Sequence, residues 1–266
     1  MFILLQRLLP LHIISRFAGW FANCEIGIIK SPFIKIIIWK YGVDISEARE
    51  KDLRKYKSFN QFFSRQLEVG ARPINGQLSS PADGFVSAAG KIEKNQLIQA
   101  KGLDYSLEKL LAKTDVSAYK DGSFMTIYLS PKDYHRVHCP QDATLVSAKY
   151  VPGKLFSVNH ETTEGVRDLF ADNERLVMEF DTGNGKMSVV MVGALIVAAI
   201  QPVWKDNPYQ AAQTFVEVFD SALSFKKGDE LGQFQMGSTA IIVSEKQLEW
   251  ELGASDPVKM GAAIVN

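Results

Sequence analysis

Residues 226–243 read KKGDELGQFQMGSTAIIV and join a polar turn, a Gly-Ser step and an apolar run. The run that follows Ser238 is Ala240-Ile241-Ile242-Val243, and β-branched residues of this kind favour strands. We therefore predict a strand over residues 240–243.

The Gly237-Ser238 step has a possible chemistry of its own. Glycine leaves the backbone free enough for the Ser238 hydroxyl to reach the preceding carbonyl. An N→O acyl shift would turn the peptide into an ester, and elimination followed by hydrolysis would leave a pyruvoyl group in place of the serine. Such a ketone is an electron sink of the kind that cofactors supply. Gly-Ser steps usually mark turns, so the step alone favours a turn.

From residue 81 onward the chain consists of short β-prone runs separated by Gly, Pro and Asp. The runs are residues 85–89, 97–100, 124–129, 145–151, 175–180 and 187–192. One helix is predicted among them at 106–113 with Ser106 as its N-cap, and helical spacing also marks 59–67. The pattern predicts an α+β protein with a mainly β core and a helical N-terminal segment.

Length and composition limit the number of domains and the classes of partner. The chain has 266 residues, of which 46% are hydrophobic, enough for one large domain or a domain with an appendage. Thirty basic and thirty acidic side chains balance, so nothing points to nucleic acid. Two cysteines give no disulfide framework.

The first 42 residues are apolar, basic and aromatic. Charged residues interrupt every apolar run before it reaches the ~20 residues that a membrane-spanning helix needs. A signal peptide is disfavoured, because the basic residues that normally precede its apolar core are missing and Pro10 breaks that core. We predict short helices that lie on an anionic membrane surface. The alternative is a helical cap on the protein's own core or on a second subunit. The charge-dense residues 43–58 predict a solvated helix or linker, which divides the chain into 1–58 and 59–266.

Two of the four histidines, His135 and His138, follow the predicted strand 124–129. Histidine is suited to proton transfer near neutral pH. The structural alternative is one core histidine and one surface histidine. The two histidines could also form a zinc site with Cys139 and His160. This is disfavoured, because the sequence has no second pair of closely spaced Cys or His residues and no HExxH motif.

Asp83 lies between Pro81-Ala82 and Gly84, where Asp-Gly normally marks a turn. It could instead orient a histidine that deprotonates a serine. No Gly-x-Ser-x-Gly elbow, dinucleotide fingerprint or phosphate loop is present, which disfavours an ordinary α/β-hydrolase or a nucleotide enzyme.

Blocks along nearly the whole chain resemble one family, the pyruvoyl-dependent phosphatidylserine decarboxylases of the bacterial, membrane-associated type. The blocks are residues 16–20 (RFAGW), 81–84 (PADG), 99–102 (QAKG) with 105–107, 129–138 (LSPKDYHRVH), 150–159 (YVPGKLFSVN), 173–175 (NER) and 228–239. One departure is Met236, where the family usually has leucine; the two side chains have similar volume.

The resemblance implies a role for each matching residue. Ser238 becomes the pyruvoyl group, and cleavage after Gly237 gives a large chain, 1–237, and a small chain, 238–266. His138 is the base for the Ser238 hydroxyl and Asp83 holds its imidazole, while His135 assists decarboxylation. Substrate contacts are expected from the loop that contains Phe156, Ser157 and Asn159.

The resemblance also implies the reaction. A self-processing carboxy-lyase proenzyme would convert phosphatidylserine to phosphatidylethanolamine and CO₂ through a Schiff base with the pyruvoyl group, without pyridoxal phosphate or metal. It implies a peripheral protein on the cytoplasmic face of the inner membrane, and a homodimer. Two other classes stay open: a Ser/His/Asp lipid hydrolase that acts as an intact chain, and a non-catalytic membrane-binding module.

Overall fold

A large antiparallel sheet of eight strands organises the chain in the computed structural model, which describes residues 6, 9, 11–100, 103–195, 199–209, 213–235 and 238–266. In spatial order the strands are β11 (Phe215–Phe225), β7 (Ala143–Val151), β8 (Arg175–Thr182), β9 (Gly185–Gly193), β13 (Ser238–Ser244), β5 (Ser123–Leu129), β2 (Gly84–Lys91) and β14 (Pro257–Val258). Five of the predicted β-prone runs and the run after Ser238 are therefore confirmed as strands of this sheet.

Both faces of the large sheet are covered, because side chains alternate along each strand and both sets are apolar. In β13, Ala240 and Ile242 belong to one core and Ile241 and Val243 to the other. Every residue of β13 is buried, so this strand lies at the centre of the molecule.

Smaller elements cover the two faces. The first face carries a three-stranded sheet, β10 (Ile200–Pro202), β12 (Glu230–Phe234) and β6 (Arg136–His138), and the pair β1 (Leu78–Ser79) with β15 (Ala263–Val265). The second face carries the hairpin β3 (Gln96–Ala100) and β4 (Leu103–Ser106), and the helices α4 (Leu107–Leu111), α5 (His160–Gly165) and α6 (Leu169–Asp172). The predicted run 97–100 is the strand β3.

The predicted helix at 106–113 is confirmed as α4 but is shorter. The Ser106 side chain caps it by accepting a hydrogen bond from the amide of Lys109, and left-handed Ala112 ends it. The predicted helix at 59–67 is α3 (Phe59–Phe63), which ends early because Leu67 pairs with Ala48 as an isolated bridge.

The N-terminal part contains α1 (Leu11–Ala22), α2 (Gly27–Tyr41) and the 3₁₀ helix Leu53–Lys55, and a second 3₁₀ helix lies at Ser117–Tyr119. Around that first short helix, residues 43–58 are irregular. Ile34 of α2 and all three phenylalanines of α3 share one small core, so α3 packs with the N-terminal helices. The domain division at residue 58 stays a prediction.

Large apolar side chains also point outward from α1 and α2. Trp20 and Phe17 are about two-thirds exposed (68% and 69%), and Trp39 is 85% exposed. No helix among the described residues is long and apolar enough to cross a membrane.

Candidate functional site

Ser238 is the first residue of β13 and lies directly between Leu129 of β5 and Gly193 of β9. It is fully buried, and its hydroxyl has no hydrogen-bond partner among the described residues. A buried polar group without a partner costs about 1–3 kcal/mol, so it calls for an explanation. Met236 and Gly237 lie outside the described residues, and so does the predicted cleavage bond.

His135 is held on the same side of the large sheet. The turn that follows β5 is closed by the Asp133 carboxylate, which accepts hydrogen bonds from the amide (2.7 Å) and hydroxyl (2.6 Å) of Ser130. The His135 carbonyl accepts a hydrogen bond of 2.9 Å from the amide of Phe234, four residues before Ser238. His135 is thereby fixed near the start of β13.

The imidazole of His135 is neutral in this structure. Its Nδ1 lies 2.8 Å from the carbonyl of Asp133, which can only accept, so Nδ1 carries the proton. The pKa of His135 is lowered to about 3; burial is the main cause, the charge of Arg65 contributes, and the contact with the Asp133 carbonyl opposes the shift. Nε2 therefore offers a lone pair, and it has no partner among the described residues. The ring of Phe63 lies 4.0 Å from the His135 ring, centroid to centroid, which brings α3 onto the site.

His138 and Asp83 are both buried, but no hydrogen bond joins them in this structure. Nδ1 of His138 donates to the carbonyl of Gly228 (2.8 Å), and Nε2 accepts from the hydroxyl of Tyr134 (2.9 Å). Both ring nitrogens are thus occupied by groups other than the predicted partner. Burial lowers the pKa of His138, and the Gly228 contact and nearby carboxylates, including Asp83, raise it.

The Asp83 carboxylate is also occupied. One oxygen accepts from the guanidinium of Arg72 (2.8 Å), and the other accepts from the amide of Met260 (2.7 Å). The Arg72 side chain is only 7% exposed and also pairs with Glu47. Asp83, Arg72 and Tyr134 line one cavity of about 730 Å³. The roles of Asp83 and His138 in self-processing stay predictions, and the predicted contact between them would require both to exchange partners.

The predicted substrate loop, which contains Phe156, Ser157 and Asn159, lies beside the strand position that pairs with Ser238. Asn173, which is fully buried, donates to the carbonyls of Phe156 (2.8 Å) and Gly193 (3.0 Å) and accepts from the amide of Phe156 (3.1 Å). Since Gly193 is paired with Ser238, Asn173 ties the loop to the site. Sequence reasoning assigned no role to Asn173; the NER block of residues 173–175 was the signal.

Two of the loop residues use their polar groups locally. The Asn159 side chain caps α5 by accepting from the amide (3.0 Å) and hydroxyl (2.8 Å) of Thr162, which makes it a structural residue here. The amide of Ser157 donates to the side chain of Gln6 (2.7 Å), so the N-terminal segment lies on this loop. Their predicted substrate contacts remain untested.

Glu174 is a buried acid that sequence reasoning also left without a role. Burial raises its pKa to about 7, and a hydrogen bond from Tyr150 opposes this rise. Its Oε1 has no partner among the described residues. Among those residues, no group of three or more His, Cys, Asp or Glu side chains is arranged to hold a metal ion.

Comparison with known proteins gives consistent matches. Residues 59–266 match the family model described as phosphatidylserine decarboxylase, and residues 1–42 match a model described as PSD. A phosphatidylserine decarboxylase proenzyme of Pseudomonas fluorescens is 46% identical over 277 residues, covering 99% of this chain and 96% of that protein. The proenzyme of Pseudomonas entomophila is 47% identical over 277 residues, with the same coverage. That of Ectopseudomonas mendocina is 45% identical over 285 residues, covering 100% of this chain and 98% of that protein.

Proposed function

The chain belongs to the phosphatidylserine decarboxylase family, and from this premise we propose that it decarboxylates phosphatidylserine to phosphatidylethanolamine with a pyruvoyl group made from its own Ser238. The observation that carries the pyruvoyl origin is the fully buried Ser238 hydroxyl, which has no partner among the described residues. A serine kept only for structure would normally have its hydroxyl satisfied.

The surroundings of Ser238 fit such a group. A pyruvoyl group supplies a carbonyl that can take up electrons as CO₂ leaves. Nε2 of His135 can accept and return a proton in a space closed to water, which is what the protonation of the product's α-carbon requires. His138 and Asp83 are proposed to act earlier, in the self-processing of Ser238, after they have exchanged their present partners.

The sheet also explains how a cleaved chain would stay assembled. The small chain would begin with β13, which pairs with β5 on one side and β9 on the other. It also contributes β14 to β2 and β15 to β1. Breaking the bond before Ser238 therefore leaves the small chain held by four strand pairings.

We also propose that α1 and α2 attach the enzyme to an anionic membrane surface, as a peripheral protein on the cytoplasmic face of the inner membrane. The exposed side chains of Phe17, Trp20 and Trp39 support this, since aromatic residues favour the headgroup region. The contact of Gln6 with the Ser157 loop brings this segment next to the site, where a headgroup could enter while the acyl chains stay in lipid. The homodimer implied by the resemblance stays a prediction.

Denaturing mass spectrometry of the purified protein tests the pyruvoyl origin. We expect two fragments, 1–237 and 238–266, the smaller of which carries a ketone that reacts with borohydride. Ser238→Ala should remain intact and inactive. Ser244→Ala, at the opposite end of β13, is the matched control and should cleave as the wild type does. An intact wild-type chain that still decarboxylates the lipid would refute the self-made cofactor. An intact chain that hydrolyses lipid would favour the hydrolase.

His135 can be tested separately from self-processing. His135→Ala should still cleave into two chains but lose decarboxylation, measured as release of labelled CO₂. Full turnover by this variant would show that another group returns the proton.

A further inference from the structure

Arg65 is a buried cation without a counter-ion. Only 4% of its surface is exposed. Its Nη2 donates to the carbonyls of Lys132 (3.2 Å) and Asp44 (3.5 Å), whereas Nε and Nη1 have no hydrogen-bond partner among the described residues. No carboxylate of those residues forms an ion pair with Arg65, and nearby acids attract its charge only from a distance. A buried charge without a partner is costly, so an anionic ligand would stabilise this arginine.

Arg65 forms part of the wall of the cavity of about 730 Å³ beside Asp83. A cavity of this size can hold a small ligand or a lipid headgroup. Ser130, which also lines the cavity, directly follows Leu129, and Leu129 is paired with Ser238. The cavity therefore lies at the end of the large sheet that contains the candidate site.

Four carboxylates of the described residues line this cavity, and each already accepts a hydrogen bond. The donors are the amide of Ser46 for Asp44 (2.8 Å), the guanidinium of Arg72 for Glu47 and Asp83, and the amide and hydroxyl of Ser130 for Asp133. Of the basic groups in the wall, Arg72 binds two of these acids, and Lys259 lies 3.6 Å from Glu47. Lys132 is exposed, and its ammonium group forms no hydrogen bond or ion pair among the described residues. Arg65 and Lys132 are thus the two cations of the wall that are left to bind an anion.

The surroundings of Arg65 favour a phosphate group that is attached to lipid. A guanidinium presents a planar fork of N–H groups that matches the oxygens of a phosphate, and arginine is often used to bind phosphate for this reason. Apolar side chains of Leu67, Phe85 and Val258 line the same cavity. They suit the glycerol and first acyl carbons that adjoin the phosphate of a phospholipid, which a free phosphate ion lacks.

The helix α2 ends at this cavity. Gly42 ends the helix in the left-handed conformation, with its amide bonded to the carbonyl of Ile38 (2.9 Å), and it lines the cavity. Trp39, which is 85% exposed, and Lys40 precede it on the helix. If α2 lies on a membrane, headgroups are therefore present at the edge of the cavity.

We propose that this cavity binds the phosphate group of a phospholipid, with Arg65 and Lys132 as the cations that hold it. The site lies apart from the loop of Phe156, Ser157 and Asn159, so it adds a second place where the protein contacts lipid. The inference rests on the proposed membrane attachment of α2 for the source of the ligand, and it does not depend on the self-made cofactor.

The test is isothermal titration calorimetry of the wild-type protein with monomeric dihexanoylphosphatidylglycerol. This lipid has a phosphodiester but no amine, so it cannot form a Schiff base with a pyruvoyl group. We expect Arg65→Met to weaken its binding at least about tenfold, and Arg65→Lys to restore part of the affinity, since lysine keeps the charge but loses the fork. Lys132→Met should weaken binding about threefold, because an exposed cation contributes less.

Two controls separate phosphate binding from other causes. Arg49→Met removes the same charge from a neighbouring exposed arginine, whose guanidinium binds the Gln66 side chain (3.1 Å), and it should bind the lipid as the wild type does. Dihexanoylglycerol, which lacks the phosphate, should bind much more weakly than the phospholipid. Thermal unfolding verifies that each variant is folded, and the exposed position of Lys132 keeps the site testable if Arg65→Met does not fold.

Several outcomes would overturn the inference. They are no binding of the phospholipid, equal binding of dihexanoylglycerol, or unchanged affinity in the folded Arg65 and Lys132 variants. Binding of inorganic phosphate without binding of the phospholipid would also overturn it, because the site would then serve a free anion.

Failure of the proposed function would look different. If the wild type does not sediment with anionic vesicles but binds the short-chain phospholipid through Arg65, the proposed membrane attachment fails and the phosphate site stands. Self-cleavage and decarboxylation do not enter the titration, so their absence would refute the proposed reaction alone.

Discussion

Replacing Glu174 by glutamine is expected to stabilise the folded chain at alkaline pH, and the size of this effect follows from its burial. An exposed glutamate has a pKa of about 4.5, whereas burial raises the pKa of Glu174 to about 7 in the folded chain. Between these values the unfolded chain has lost the proton and the folded chain keeps it. The free energy of unfolding therefore falls as the pH rises, until both states are ionised above about pH 7.

The expected magnitude can be separated from packing effects. At about 1.4 kcal/mol per pH unit, ionisation of Glu174 costs about 3 kcal/mol in full, and about 2 kcal/mol of this is lost between pH ~5.5 and pH ~8. Glutamine does not ionise, so its advantage over glutamate should grow by about 2 kcal/mol across that interval. The buried histidines are common to both proteins, and their contribution cancels in this difference.

The assay is urea denaturation of Glu174→Gln in a Ser238→Ala background, which keeps the chain in one piece. The Ser238→Ala protein is the reference, and the two are compared at both pH values by tryptophan fluorescence. A difference between the two proteins that does not change with pH would refute the reasoning, because it would mean that Glu174 ionises in the folded chain as it does in the unfolded one.

Three further outcomes are expected. Burial lowers the pKa of His135 to about 3, whereas the same histidine in the unfolded chain takes up a proton near pH 6.5, so acid should destabilise the fold. At pH ~5 this residue should lower the free energy of unfolding by about 2 kcal/mol. His135→Ala should lose less stability than wild type between neutral pH and pH ~5 in urea denaturation, and an equal loss would contradict this explanation. Trp39→Glu should weaken binding to anionic vesicles at least about tenfold in sedimentation, whereas Val69→Glu, at a fully exposed position outside α1 and α2, should not; equal effects would argue against the proposed membrane face. Arg72→Met should lower the free energy of unfolding by about 3 kcal/mol, because it leaves the Asp83 carboxylate buried without its cation. Adding Asp83→Asn should recover part of this stability in urea denaturation. No recovery would show that loss of the Arg72–Asp83 ion pair is not the cause.

Much of the fold could be predicted because its signals are local. Strands such as β5, β8 and β9 are runs of β-branched and apolar residues bounded by turn residues, and each was found within about two residues. Helix ends were less accurate: α3 stops at Phe63 because Leu67 pairs with Ala48, a contact between segments that are distant in sequence.

The residues of the candidate site could likewise be predicted only in part. Ser238 and His135 could be chosen from their motifs, and both are buried on one side of the large sheet. Asn173 and Glu174 could not be given roles, because their importance comes from standing next to Gly193 in the sheet. The predicted contact between Asp83 and His138 is not formed, because Arg72, Met260, Gly228 and Tyr134 occupy their polar atoms.

The sequence by itself determined the strands, the apolar aromatic N-terminus and the Gly-Ser step at residues 237–238, since each depends on residue type and short-range spacing. The tertiary structure alone decided which groups surround Ser238. Strand register sets Gly193 beside the serine and Glu174 beyond it. The pairing of Gly193 with Ser238 joins segments more than 40 residues apart, so no local pattern specifies it. Burial then raises the pKa of Glu174 and lowers that of His135, because both side chains lose water on folding, and no local motif records that loss.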